Sequence, residues 1–246
     1  MTDPVAPARI LVVTAVAAER DAVTAGLRAP AAGSGAITAA GAVTVLAGGV
    51  GPAAAAASTA TALARAAHDL TPYDLVVSVG IGGGFAPAAP VGSVVVADAI
   101  VAADLGAQTP GGFLPVAELG FGTSRHDPPP VLSRAVAGAL GAAYGPVLTV
   151  STVTGTAGRA AELSGRHPGA VAEAMEGFGV AEAAAAAGVP VLEIRAVSNA
   201  VGPRDRAAWR IGEALAALTT AFGKLPAALA DFGKLSPPLE VEAQHG

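Results

Sequence analysis

The 246-residue chain contains no cysteine, which removes disulfides, thiol nucleophiles and Cys-ligated zinc. Charge is scarce as well: Asp, Glu, Lys and Arg together make up 13%, with a net charge of -5 and an isoelectric point near 5.3. A basic nucleic-acid-binding surface is therefore not expected. Aromatic residues amount to 4%, so the core must be built from small aliphatic side chains. The four histidines, His68, His126, His167 and His245, are scattered, with no His-x-x-x-His pair. Neither a metal site nor a cofactor is expected. The chain also lacks a Walker A segment and a Gly-x-Ser-x-Gly elbow, which argues against a P-loop NTPase and an α/β-hydrolase.

What the chain has in quantity is hydrophobicity, at 52% of residues and a mean hydropathy of +0.57. No charged residue lies between Arg28 and Arg65, but Pro30, Gly33, Gly35, Gly41, Gly48, Gly49, Gly51 and Pro52 break that stretch. A membrane-spanning helix needs roughly 20 uninterrupted apolar residues, so strands and a buried Ala-rich helix are expected instead. The start, Met1 to Arg9, carries Asp3, Pro4 and Pro7 where an export signal has a basic region and an apolar run. A cytoplasmic protein without a membrane or nucleic-acid partner is the expectation.

Short β-rich runs alternate with Ala-rich helical runs, the pattern of a covered sheet. Strands are predicted at 10–14, 36–39, 43–47, 75–79, 94–101, 147–150 and 189–198. Helices are predicted at 18–27, 53–67, 131–143, within 155–163, and at 176–188, 206–222 and 226–232. Pro52 is suited to the first turn of its helix, where a missing N–H costs nothing. Residues 106–130, rich in Gly and Pro, read as a long loop. No linker or repeat divides the chain, so one α/β domain over 1–235 is expected, followed by a flexible tail at 236–246.

Gly80-Ile81-Gly82-Gly83-Gly84 follows a predicted strand, like part of a dinucleotide fingerprint. That fingerprint requires a helix to open at the glycines. Here Pro87 and Pro90 follow and another strand comes next. The glycines instead predict a sharp bend with something packed close against it.

Four features resemble the nucleoside phosphorylase/nucleosidase superfamily, and within it the methylthioadenosine/S-adenosylhomocysteine nucleosidase branch. They are Thr14-Ala15-Val16-Ala17-Ala18-Glu19, Ser78 to Pro87, Ala174-Met175-Glu176-Gly177, and Ile194-Arg195-Ala196-Val197-Ser198-Asn199. The resemblance runs from about Arg9 to Leu218. It implies a single α/β domain with a twisted central mixed sheet flanked by helices, a site at the strand ends, and a homodimer or larger homo-oligomer. It also implies cleavage of an N-glycosidic bond, which passes through an oxocarbenium-like sugar and needs a carboxylate near that sugar, an activated water and help for the departing base.

Carried over by this resemblance, Glu19 is the water-activating carboxylate, although a carboxylate in a first helical turn is also ordinary helix chemistry. Glu176 accepts hydrogen bonds from ribose hydroxyls, and Met175 lies against the sugar. Ile81 and Gly82 belong to the turn that touches ribose and water; relatives tend to have serine where this chain has Ile81. Thr152 and Val153, with Thr154, belong to the loop at the purine edge, Phe178 stacks on or lines the base, and Trp209 covers the 5′ substituent. Gly49-Val50-Gly51-Pro52 replaces a frequent Gly-x-Gly-Lys. A Gly-Asp-Pro-x-Arg-like phosphate element is lacking after the first strand, which favours water over phosphate as nucleophile.

Asn199 departs most from the pattern, because adenine-specific members carry aspartate there. An amide donates to a carbonyl oxygen while its own oxygen accepts from a protonated N7, which suits a 6-oxopurine such as hypoxanthine. An Asn stabilising a turn before Gly202-Pro203 is the structural alternative. Residues 174–179 and 198–205 are similar to those of the futalosine-hydrolysing members, which release hypoxanthine in the alternative menaquinone pathway. The aryl carboxylate on the 5′ arm of that nucleoside would suit an arginine, with Arg204, Arg206 and Arg125 as candidates. Adenine-specific hydrolysis, phosphorolysis, and a non-catalytic nucleoside-binding role are the alternatives.

Overall fold

The computed structural model describes residues 8–29 and 43–229. Its strands are β1 (Ile10–Thr14), β2 (Val43–Ala47), β3 (Leu75–Gly84), β4 (Val94–Ala102), β5 (Gly106–Thr109), β6 (Gly112–Pro115), β7 (Arg125–His126), β8 (Ala143–Thr149), β9 (Ala172–Ala174) and β10 (Val191–Ala200). Its helices are α1 (Ala17–Arg28), α2 (Pro52–His68), α3 (Pro130–Leu140), α4 (Ala157–Arg166), α5 (Gly177–Ala186) and α6 (Ile211–Ala228), with a 3-10 turn at Arg206–Ala208. The strand predicted at 36–39, and the end of the helix predicted at 226–232, lie outside the described residues.

One mixed sheet runs β10-β4-β8-β9-β3-β1-β2, with β7 beside β4, and β10 pairs with β3 as well. The sheet therefore closes a ring through β3, β10, β4, β8 and β9, while β1 and β2 extend it as a parallel flap. Alternation along the strands sorts the core. Ile10, Val12, Leu75, Val77, Val79, Leu192 and Ile194 pack with α1, α3 and α6. Leu11, Val13, Val76, Val191 and Val197 pack with α2 and α5. This period of two is what a sheet covered on both faces requires.

Several sequence expectations need correction. The segment 106–130 is not one loop: β5 and β6 form an antiparallel hairpin, and β7 joins β4. The glycine run is no bend, because β3 continues through Gly84. The helix predicted to reach 143 stops at Gly141 with φ 64°, a left-handed conformation that ends helices, and Ala143 begins β8. Pro226 does not divide two helices but lies inside α6, whose Leu218, Phe222 and Leu225 are anchored in the core. The three-residue strand β9 was not predicted; it is held by Gly83 and Gly84 of β3 on one side and by β8 on the other. Among the described residues, no helix is long and apolar enough to cross a membrane.

Candidate active site

The ends of β1, β3 and β10 converge on the first turns of α1, α2 and α5. Glu19 occupies the third position of α1 and reaches back over the helix start. Its Oε2 accepts from the backbone N–H groups of Ala15 (2.9 Å) and Val16 (3.2 Å), and its Oε1 from Ile81 N–H (2.9 Å). The carboxylate is thus oriented by three amides and only 4% exposed. Helix chemistry and site chemistry coincide here: the same oxygen that caps α1 belongs to a carboxylate bonded across to the glycine strand.

Glu176, at the N-cap of α5, is 7% exposed. Its Oε1 accepts from Gly51 N–H (3.2 Å), and its Oε2 from Arg195 Nη1 (3.2 Å). Gly51 has φ 89° at the start of α2, a conformation that glycine adopts without penalty. Arg195 is fully buried and uses its whole fork, with Nε donating to Glu193 Oε1 (2.8 Å) and Nη2 to Ser78 Oγ (3.0 Å). A Cβ at Gly80 would lie 2.6 Å from Arg195 Nη1 and 2.7 Å from Glu19 Oε1. Close approach is therefore what these glycines provide.

Burial alone works to lower the pKa of Arg195, but Glu193, Glu176 and Glu19 outweigh it and hold the guanidinium more firmly protonated. Burial pushes Glu193 up, against the pull of Arg195, and nearby Glu176 adds to the rise. Arg195 and Glu193 were not singled out as site residues from the sequence. Their trace was there: two opposite charges two positions apart in an otherwise apolar strand share one face and must pair when buried.

Asn199 lies opposite Gly83, just past the irregularity at Ser198. Ser198 Oγ is 2.8 Å from Asn199 Oδ1 and 3.2 Å from Gly82 O, and Asn199 Nδ2 donates to Ala200 O (3.0 Å). The amide keeps a second N–H and a second lone pair for a ligand. Met175 is half-buried beside Glu176. Thr152 and Val153 are exposed on the loop after β8, whose backbone is pinned in three places: Ser151 N–H on Asp104 (2.7 Å), Thr154 N–H on Glu173 Oε1 (2.7 Å), and Gly155 O by Arg204 N–H (3.1 Å). Thr154 Oγ1 also bonds Glu173 Oε2. Burial raises the pKa of Glu173, with the Thr154 bonds opposing it; the sequence reading did not identify this residue. Trp209 is half-buried where the chain returns to Ser198, through Arg210 N–H to Ser198 O (2.8 Å).

The structure thus brings together Glu19, Ile81, Gly82, Glu176 and Asn199. It directs Phe178 into the core, with its ring 5.2 Å from that of His126 and its N–H on Thr149 Oγ1 (2.9 Å). Two buried carboxylates beside an arginine, with an amide a short way along the same strand, can orient a water, hold vicinal hydroxyls and read a heterocycle edge.

The family model described as "Phosphorylase superfamily" matches residues 13–231. A protein named "Futalosine hydrolase" from Streptomyces coelicolor is 68% identical over 225 residues, covering 88% of this chain and 94% of the relative. Another of that name from Acidothermus cellulolyticus is 48% identical over 231 residues, covering 91% and 92%. Among solved structures, the methylthioadenosine/S-adenosylhomocysteine nucleosidase of Colwellia psychrerythraea in complex with adenine has the same fold, with a TM-score of 0.72 at 20% identity over 91% of this chain and 96% of that one. The Neisseria meningitidis nucleosidase in complex with methylthio-immucillin-A gives 0.70 at 20% identity, over 91% and 99%.

Proposed function

The chain belongs to the phosphorylase superfamily, and on that premise we propose that it hydrolyses the N-glycosidic bond of futalosine, releasing hypoxanthine and dehypoxanthinyl futalosine. The observation that carries this reading is the pairing of Glu19 and Glu176, both buried, about Arg195, together with Asn199 at the base-reading position. The names of the relatives at 68% and 48% identity support the substrate.

In the reaction, Glu176 accepts from the ribose hydroxyls and Arg195 holds Glu176 in place. As the bond from C1′ to N9 breaks, positive charge develops on the sugar and is stabilised by the nearby carboxylates. Water attacks C1′, and Glu19 takes a proton from it. The departing electron pair spreads over the 6-oxopurine, with Asn199 donating to O6. An amide is no acid, so N7 takes its proton from water or the 6-oxopurine departs with less need of one. Aspartate-type acid catalysis at this position is therefore not part of the reaction. We propose further that the enzyme serves menaquinone synthesis as a cytoplasmic homo-oligomer with one domain over residues 1–235.

The test is incubation with futalosine, inosine and methylthioadenosine in phosphate-free buffer, with free bases resolved by chromatography. Hypoxanthine from futalosine is expected without added phosphate, and Glu19→Gln should abolish turnover while binding is largely kept. Adenine as the preferred product, a requirement for phosphate, or near-normal turnover by Glu19→Gln would overturn the reading.

A further inference from the structure

The segment between β10 and α6 carries charge that the hydrolytic groups do not use. Arg204 and Arg206 both lie over the ring of Trp209, with Cζ 5.2 and 5.9 Å from its centroid. Among the described residues neither forms an ion pair, whereas Arg210 has Glu213 at 3.8 Å. Asp205, between them in sequence, turns its Oδ1 to Ala207 N–H (3.0 Å) and caps the 3-10 turn. Two like charges therefore share one aromatic ring, with no carboxylate among the described residues paired to either, in a chain of net charge -5. A cation–π contact with an indole steadies a guanidinium while leaving N–H groups free to donate.

This cluster is fastened to the site. Val201 N–H donates to Gly84 O (2.9 Å), Arg204 N–H to Gly155 O (3.1 Å), and Arg210 N–H to Ser198 O (2.8 Å). The arginines thus stand on the rim shared by Asn199 and the loop after β8. Arg125, the third candidate, is already engaged, with its Nε 2.7 Å from Asp127 Oδ1 on the surface.

We infer that Arg204 and Arg206, held over Trp209 at cation–π distance, form a subsite for an aryl carboxylate at the far end of the substrate's 5′ arm. The inference rests on the futalosine reading, since the 5′ arm of that nucleoside ends in such a group. The carboxylate accepts N–H bonds from the guanidinium edges in the planar, two-point manner that Arg provides. A nucleoside with a neutral 5′ substituent gains nothing from these charges, so the pair selects for the acid.

The experiment measures kcat and KM for hypoxanthine release from futalosine and from its carboxylate methyl ester, with the wild type, Arg204→Ala/Arg206→Ala and Arg204→Lys/Arg206→Lys. For the wild type, esterification should raise KM roughly 10- to 100-fold, the range of a charge-assisted pair, with kcat little changed because the contact is remote from the bond broken. The double alanine variant should lose affinity for the acid by a similar factor and treat acid and ester alike, while the lysine variant regains part of the preference. All three residues lie at the surface or half-buried, and an unchanged melting temperature reports an intact fold. An alanine variant that keeps the wild-type preference for acid over ester would overturn the subsite while leaving the activity standing. If the wild type released no hypoxanthine from futalosine, the activity reading itself would fall, and the subsite with it.

Discussion

Asn199 holds its amide by local bonds, from Ser198 Oγ to its oxygen and from its nitrogen to Ala200 O, so the face it turns to a base is set before any ligand arrives. An aspartate in its place would put an acceptor opposite O6 and leave two acceptors facing each other. Asn199→Asp should therefore cut kcat/KM for futalosine roughly 10- to 100-fold, the range of a buried polar group left unpaired. It should also raise adenine release from methylthioadenosine above the wild-type level. Steady-state rates on both nucleosides check this, and unchanged selectivity would remove Asn199 from base recognition. Arg195 shows the opposite case, a residue whose pairing with Glu193 is local but whose hold on Glu176 and Ser78 is not. Its three bonded partners are Ser78 of β3, Glu176 at the N-cap of α5 and Glu193 of β10, and the charge of Glu19 in α1 acts on it from nearby.

Elements reach the site through close packing of small residues. A Cβ at Gly179 of α5 would lie 2.9 Å from Pro52 Cα, with Pro52 O nearer still, and Pro52 directly follows the Gly51 whose N–H holds Glu176. Gly179→Ala should part α2 from α5, costing about 1–3 kcal/mol as overpacked sites do, and raise KM by loosening Glu176. Gly26 provides a comparison on the far side of the sheet, where a Cβ would meet Thr219 O and come 2.9 Å from Phe222 Cβ of α6. Gly26→Ala should lose similar stability with KM unchanged. Chemical denaturation and steady-state kinetics on the two variants separate the effects, and equal KM values would show that α2 and α5 do not set the Glu176 geometry.

For the whole molecule, the scarcity of charge is itself informative, because among the described residues four carboxylates, Glu19, Glu173, Glu176 and Glu193, are buried. Glu173 and Glu193 both have pKa values raised above the ordinary 4.5, with burial as the leading cause. A carboxyl raised on folding binds its proton more tightly in the folded chain. The stability it contributes is full below about 4.5 and is lost as pH rises through the folded value. Each pH unit between the two values removes about 1.4 kcal/mol per group. Glu173→Gln removes one such group, so the melting temperature of the wild type relative to this variant should fall as pH is raised from 4.5 into the neutral range. A difference independent of pH would mean that Glu173 titrates alike in the folded and unfolded chains.

Periodicity and composition alone determined most of the elements, including β1, α1, α2 and β4, because alternating apolar runs and Ala-rich segments are local properties. Motif order pointed to Glu19, Glu176 and Asn199, because each lies in a short run whose residue types are constrained by chemistry. Other features existed only once distant segments met. β9, with the sequence Ala-Glu-Ala, has no strand preference of its own and is a strand because β3 and β8 offer it hydrogen bonds from either side. The glycines of β3 read as a bend, yet they extend a strand, because the side chains of Arg195 and Glu19 take the space a Cβ would fill at Gly80. The return of β10 to the side of β3 decided the rest: it set Arg195 against Ser78, 117 positions away, and Glu176, 19 positions away, contacts that no local pattern contains.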